Sequence, residues 1–165
     1  IWLYGDKRII FRQKIELNIK KLTKFSIIPL SDLTNLSIDG AEWNLDNKDI
    51  QFGEKALKKS GNFSFVQGVV CRSNKILALE GSGGTKKMIQ KVKKINKSPK
   101  GVLIKFPKKR QDTRVDLPTV GIKTLKQCKT AGIKGIVLKS KLNIFLNQRQ
   151  SVQFANKNKM FILVK

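Results

Sequence analysis

The stretch KKMIQKVKKI, residues 86–95, places Met88, Ile89, Val92 and Ile95 on one stripe and covers the remainder with lysine, the pattern of an amphipathic helix. Upstream, NLDNKDIQFGEKALKKSG sets Ile50, Ala56 and Leu57 behind a cap region at Asp46 and Asn47, with Gly61 at the C-terminal stop. In FSFVQGVVCRSNKILALEG two runs rich in Val, Ile and Leu flank Ser73-Asn74, which predicts a hairpin over residues 63–80. GVLIKF, 101–106, reads as a short strand, and TLKQCKTAG as a helix capped by Thr124 and stopped by Gly132. GIVLKSKLNIFL predicts a strand pair joined by a tight turn. Asn147 then caps a helix in QRQSVQFANKN, and MFILVK supplies a last strand. Residues 1 to 40 are less regular. IELNIKKL has helical spacing through Ile15, Ile19 and Leu22, FSIIPL reads as a short strand ended by Pro29, and SDLTNLSIDG is loop-like. Strands alternate with helices and hairpins interrupt the alternation, so the expected fold is α/β, with a mixed β-sheet flanked by helices.

Composition narrows the chemistry. The 165 residues, 40% of them hydrophobic, suffice for one domain with a true core. No apolar run reaches the roughly 18 residues that span a bilayer. There is no histidine, which excludes a Ser-His-Asp triad and a histidine base. Cys71 and Cys128 are too few for a disulfide framework or a zinc site. They read as buried small hydrophobes of a reducing compartment, which points to the cytoplasm. The chain begins at Ile1 with no signal-peptide pattern, and its start reads as a cut through a longer chain. The formal net charge of +24 calls for an anionic partner: nucleic acid, an anionic membrane surface or a phosphorylated substrate. Lysine far outnumbers arginine and asparagine is frequent, so compositional bias is an equally good source of the charge. Aromatics make up only 7% and no RNP-type motif is present, which argues against a specific nucleic-acid reader.

Against this basic background the stretch QDTRVDLPTVG, 111–121, stands out. If it runs extended, Asp112, Arg114 and Asp116 share one face, while Val115 and Leu117 anchor the other. Two carboxylates at this spacing can hold Mg²⁺ or activate a water, and Arg114 can grip a phosphate through its fork. Lys105, Lys108, Lys109 and Arg110 add positive field. The plainer alternative is an Asp–Arg–Asp salt-bridge cluster that stiffens a loop. GSGGTKK, 81–87, precedes a helix. Gly84 and Thr85 there either cradle a phosphate at the helix N-terminus or merely make a tight connection with Thr85 as N-cap. Gln67 sits within an apolar strand, where it satisfies a backbone group or faces a pocket. Glu80 leaves a strand at the end of ILALE, where α/β folds hold ligands. It joins Asp112 and Asp116 as a predicted metal ligand.

Taken together, VQGVV, ILALEGSGGT, GVLIKFPKKRQDTRVDLPTVGIKTL and AGIKGIVL resemble the C-terminal domain of the UDP-2,3-diacylglucosamine diphosphatases of the lipid A pathway, of the type unrelated to calcineurin-like phosphatases. The resemblance covers residues 44–165 and leaves 1–43 as a remnant of an N-terminal domain or a linker. It implies Mg²⁺-dependent hydrolysis of the substrate pyrophosphate to UMP and 2,3-diacylglucosamine 1-phosphate, a lipid-linked UDP-sugar partner and a homodimer. For such a cytoplasmic enzyme the basic charge finds a use in peripheral contact with the anionic inner leaflet, where an acylated substrate resides. By the same resemblance Asp112 is the essential carboxylate and Asp116 the second. Lys105 and Arg114 contact phosphate, Gln111 orients a ligand, and Gln67, Gly84, Thr85 and Thr124 line the substrate site. Gly83 and Lys86 stand where family members carry Glu and Asp, so both acids are lost. A non-catalytic relative that binds a lipid-linked nucleotide, or a basic nucleic-acid-binding module, is the alternative.

Overall fold

The computed structural model describes residues 2–3, 25–26, 47–60, 66–95, 101–108, 112, 114 and 116–165. The chain divides into two compact units, Ile1–Thr34 and Asn35–Lys165. In the first, β1 (Trp2–Leu3) pairs antiparallel with β2 (Phe25–Ser26). The strand expected in FSIIPL therefore exists at its first two residues. The helical spacing at Ile15, Ile19 and Leu22 lies outside the described residues.

The second unit is a mixed five-stranded sheet with helices on both faces. Its elements are α1 (Asn47–Lys59), β3 (Gly68–Arg72), β4 (Lys75–Leu79), α2 (Gly84–Ile95), β5 (Gly101–Lys105), β6 (Thr119–Val120), α3 (Ile122–Thr130), β7 (Ile133–Leu138), β8 (Ile144–Phe145), α4 (Gln148–Lys157) and β9 (Phe161–Val164). The strand order is β4-β3-β5-β7-β9. The β4-β3 and β3-β5 pairs are antiparallel, whereas β5-β7 and β7-β9 are parallel. The hairpin is closed by Ser73 and Asn74, both at positive φ (50° and 57°), as a two-residue loop of matching twist requires. Asp49, buried in the first turn of α1, accepts the amide hydrogens of both residues, at 3.0 and 2.8 Å.

Side-chain alternation along the strands splits the core in two. Val69, Cys71, Val102, Ile104 and Val137 point to one face, where Ile50 of α1 covers them. Val70, Leu103, Ile136 and Leu138 point to the other, against Met88, Ile89 and Val92 of α2, Leu125 and Cys128 of α3 and Ala155 of α4. The stripe expected on α2 is thus its buried face, except that Ile95 is exposed.

Two expectations fail locally. Thr124 does not cap α3: the helix begins at Ile122, its N-cap is Gly121, and no side chain caps it. Nor do the strands in GIVLKSKLNIFL pair with each other. β7 lies in the main sheet, while β8 pairs in parallel with β6 in a separate two-stranded sheet. Gly132 does stop α3, at φ 72°, and Asn147 does occupy the N-cap of α4. Asn147 is left-handed there and makes no side-chain cap bond.

Both cysteines are free and buried. Burial pushes the Cys128 thiol from an ordinary 9.0 to about 12. Burial, aided by the Asp49 carboxylate, does the same to Cys71. Because the folded values are raised, the stability these neutral thiols contribute is full below pH 9.0 and lost as pH climbs toward about 12. Both thiols are therefore expected to resist iodoacetamide at neutral pH in the native protein and to react at once in denaturant. Modification of either in the native protein would show that its shell opens.

Candidate functional site

β4 runs in the same direction as β5 and β7, so the carboxyl ends of these strands lie along one edge of the sheet. α/β folds place ligands at this edge. Glu80 follows β4, Lys105 ends β5, and β3 starts here with Gln67 and Gly68. Gly68 pairs with Lys105 on one side and accepts the Glu80 amide hydrogen on the other, at 2.9 Å. Gly68 has no side chain, so Glu80 and Lys105 reach each other across the intervening strand. A Cβ at Gly68 would stand 2.5 Å from Glu80 Oε2.

Lys105 Nζ lies 3.6 Å from Glu80 Oε1, and both side chains are almost fully buried. Thr85, in the first turn of α2, joins them. Its hydroxyl donates to Glu80 Oε1 at 2.7 Å and accepts a hydrogen bond from Lys105 Nζ. Burial draws the Lys105 pKa down, and the Glu80 carboxylate opposes that shift. Two acceptors at this edge, Glu80 Oε2 and Gln67 Oε1, are buried without a hydrogen-bond partner among the described residues. The glycine turn before α2, closed by Gly84 N to Gly81 O at 2.9 Å, needs Gly84 at φ 73°. It borders a cavity of about 260 Å³ lined by Gly81–Gly84, Leu79, Lys87, Met88 and Lys91.

The loop carrying Asp112 leaves from the same edge after β5. It is not extended. The Asp116 amide hydrogen bonds to Asp112 O at 2.9 Å, and the Arg114 amide to Asp112 Oδ1 at 3.1 Å, so the chain turns back on itself. Arg114 grips Asp112 with two donors, Nε to Oδ1 at 3.0 Å and Nη2 to Oδ2 at 2.9 Å. These hydrogen bonds hold the Asp112 carboxyl below the usual carboxylate range. Asp116 is exposed, with Lys108 Nζ at 4.0 Å. Gln111 lies outside the described residues, and Thr124 is half-buried inside α3.

Sequence reasoning missed Asn143. Its amide donates to Lys105 O (3.1 Å) and Pro118 O (3.2 Å), and its Oδ1 accepts the Lys139 amide hydrogen (2.7 Å). It thereby pins the end of β5, the loop after Asp116 and the end of β7 together. Within KSKLNIFL it looks like any turn asparagine, and no sequence signal distinguishes it.

The family model of the LpxI C-terminal domain matches residues 38–163. The chain belongs to the LpxI family. UDP-2,3-diacylglucosamine pyrophosphatase LpxI of Caulobacter vibrioides is 30% identical over 122 residues, which are 70% of this chain and 44% of that protein. The chain thus spans less than half the length of that relative. Among solved structures, the apo dCMP deaminase of the cyanophage S-TIM5 overlaps 70% of this chain and 98% of its own, at 14% identity and a TM-score of 0.45. So slight a likeness bears on no chemistry.

Within this LpxI frame the proposed Mg²⁺ asks for hard oxygen donors: one or two carboxylates, completed by water and substrate phosphate. Asp112 and Asp116 supply two carboxylates at the protein surface, but Arg114 grips the first with two donors and Lys108 stands 4.0 Å from the second, so a cation held there must displace those side chains. Glu80 does not join them. Among the described residues no three acids, cysteines or histidines come close enough to hold an ion, and Glu80 already faces the Lys105 ammonium.

Proposed function

We propose that this LpxI-family chain takes part in hydrolysing the pyrophosphate of UDP-2,3-diacylglucosamine, giving UMP and 2,3-diacylglucosamine 1-phosphate. The family match across 38–163 carries this reading. The string Lys105, Gln111, Asp112, Arg114, Asp116, Pro118, Gly121 and Thr124 lies whole within that span. Residues 44–165 then form the catalytic-type domain and 1–43 the remnant of another, in a homodimeric, cytoplasmic enzyme.

In this mechanism Asp112 and Asp116 would hold Mg²⁺, which when bound would supply charge neutralisation for the pyrophosphate and a more acidic water. Arg114 has a second use for its fork. The planar guanidinium that grips the Asp112 carboxylate also matches a phosphate, so an arriving pyrophosphate competes for it and frees Asp112 oxygens. Water adds to the phosphorus on the UMP side, and the bond to the bridging oxygen breaks. Lys105 and Thr85 fix the strand edge beside the loop, with Gln67 and Gly84 beside them on the substrate side. Gln111 and Thr124 are assigned to the same substrate site by resemblance alone.

The test is UMP release from UDP-2,3-diacylglucosamine in detergent, with Mg²⁺ and then with EDTA. Metal-dependent release is expected. Tight binding of the intact substrate without release would instead establish a non-catalytic relative, the reading favoured by the Asp112–Arg114 lock and by Lys86 in place of an acid.

A further inference from the structure

We propose that the layer formed by α2, α3 and α4 is a docking surface for an anionic phospholipid bilayer. The three helices read GTKKMIQKVKKI, IKTLKQCKT and QRQSVQFANK and contain no aspartate or glutamate. They pack side by side over one face of the sheet. The opposite face is covered by α1, whose lysines are interspersed with Asp49 and Glu54. A compositional drift toward lysine would load both faces alike and would not clear acids from one. In residues 81–165 the acids are Asp112 and Asp116, both in the loop after β5 and both facing cations.

The lysines of α2 are exposed, as are Lys123, Lys126 and Lys129 of α3. Beside the cavity bordered by Lys87 and Lys91, a second of about 170 Å³ lies between α2 and α3, lined by Lys86, Lys93, Gln127 and Thr130. Each is a shallow basic recess that suits a phosphate headgroup. Ile95, 60% exposed at the end of α2, and Leu79, 38% exposed beside the first recess, supply apolar contacts for the layer beneath the headgroups. Lysine point charges suit a fluid array of headgroups. A reader of nucleic acid leans on arginine forks and stacking aromatics, and these helices offer one arginine, Arg149, and one half-buried aromatic, Phe154. The choice of a lipid surface over nucleic acid rests on the proposed acylated substrate.

The experiment is co-sedimentation of the full chain with phosphatidylglycerol/phosphatidylcholine vesicles and with phosphatidylcholine alone. Two charge-matched variants accompany it: Lys93→Glu with Lys126→Glu on the proposed surface, and Lys55→Glu with Lys58→Glu on α1. We expect binding to the anionic vesicles only, weakened by salt, and reduced about thirtyfold or more by the first pair, since each lysine near such a surface contributes about fivefold. The α1 pair should change binding little. If the first pair fails to fold, Lys93→Gln with Lys126→Gln replaces it, with an expected loss of about twenty-five-fold. No preference for anionic vesicles, or equal losses from both pairs, overturns the proposal. So does binding of a mixed-sequence DNA duplex at salt that has already released the vesicles. UMP release in detergent does not use this surface, so failure here leaves that reading standing; if UMP release fails instead, the vesicle and duplex binding measured here decide between lipid and nucleic acid on their own.

Discussion

Asp112→Ala is expected to lower Mg²⁺-dependent UMP release by about a thousandfold or more, the factor that corresponds to the several kcal/mol a bound cation supplies to the transition state. The fold should survive, because Asp112 and its partner Arg114 are exposed and neither is part of the two cores. Asp112→Asn is the sharper variant. It keeps an oxygen for the Arg114 amide and side chain and so preserves the turn, but it removes the charge that a cation needs. Equal loss in both variants with unchanged urea midpoints assigns the effect to the carboxylate charge. Full activity in Asp112→Asn would reduce the pair to a loop staple.

The second large effect is on stability. Glu80→Ala leaves the Lys105 ammonium buried with the Thr85 hydroxyl and no carboxylate among the described residues, and breaking one side of a buried ion pair costs about 3–5 kcal/mol. The double variant Glu80→Leu with Lys105→Met removes both charges and should recover most of that loss, since a buried pair has little net value over apolar residues of similar size. Urea unfolding of the three proteins measures both. If Glu80→Ala costs less than about 1 kcal/mol, water reaches the site and the pair is not dry.

The contrast between these two clusters shows where the sequence is transparent. Asp112 and Arg114 are two residues apart, so their partnership is visible in the string, although the turn that joins them is not. An alternating pattern over seven residues predicts an extended strand unless the short Asp side chain bonds to its own backbone, and here it does. Glu80 and Lys105 are separated by a helix and by strand β3, so only the strand order brings them together. Their meeting also depends on Gly68, whose importance lies in what it lacks. The α2 stripe and the Ser73-Asn74 turn were legible because local spacing and local dihedrals decide them. The pairing of β8 with β6 was not, because two-residue strands carry no periodicity and their partner is chosen by tertiary fit, here secured by Asn143. Likewise Thr124 looks like a cap by residue type, yet Gly121 takes that position. The carbonyl of Leu146 approaches so closely there that an added Cβ would lie 3.1 Å from it.

The Asp49 carboxylate ties the first turn of α1 to the tip of the β3-β4 hairpin, across 24 to 25 residues of chain. Helix, hairpin and clasp are contiguous in sequence, so this part of the molecule closes by short loops and can assemble early. The parallel pairs β5-β7 and β7-β9 must each wait for an intervening helix, and such crossovers form slowly. The antiparallel end of the sheet is therefore expected to form first and to template the parallel end, in which case Asp49→Ala slows refolding as well as speeding unfolding.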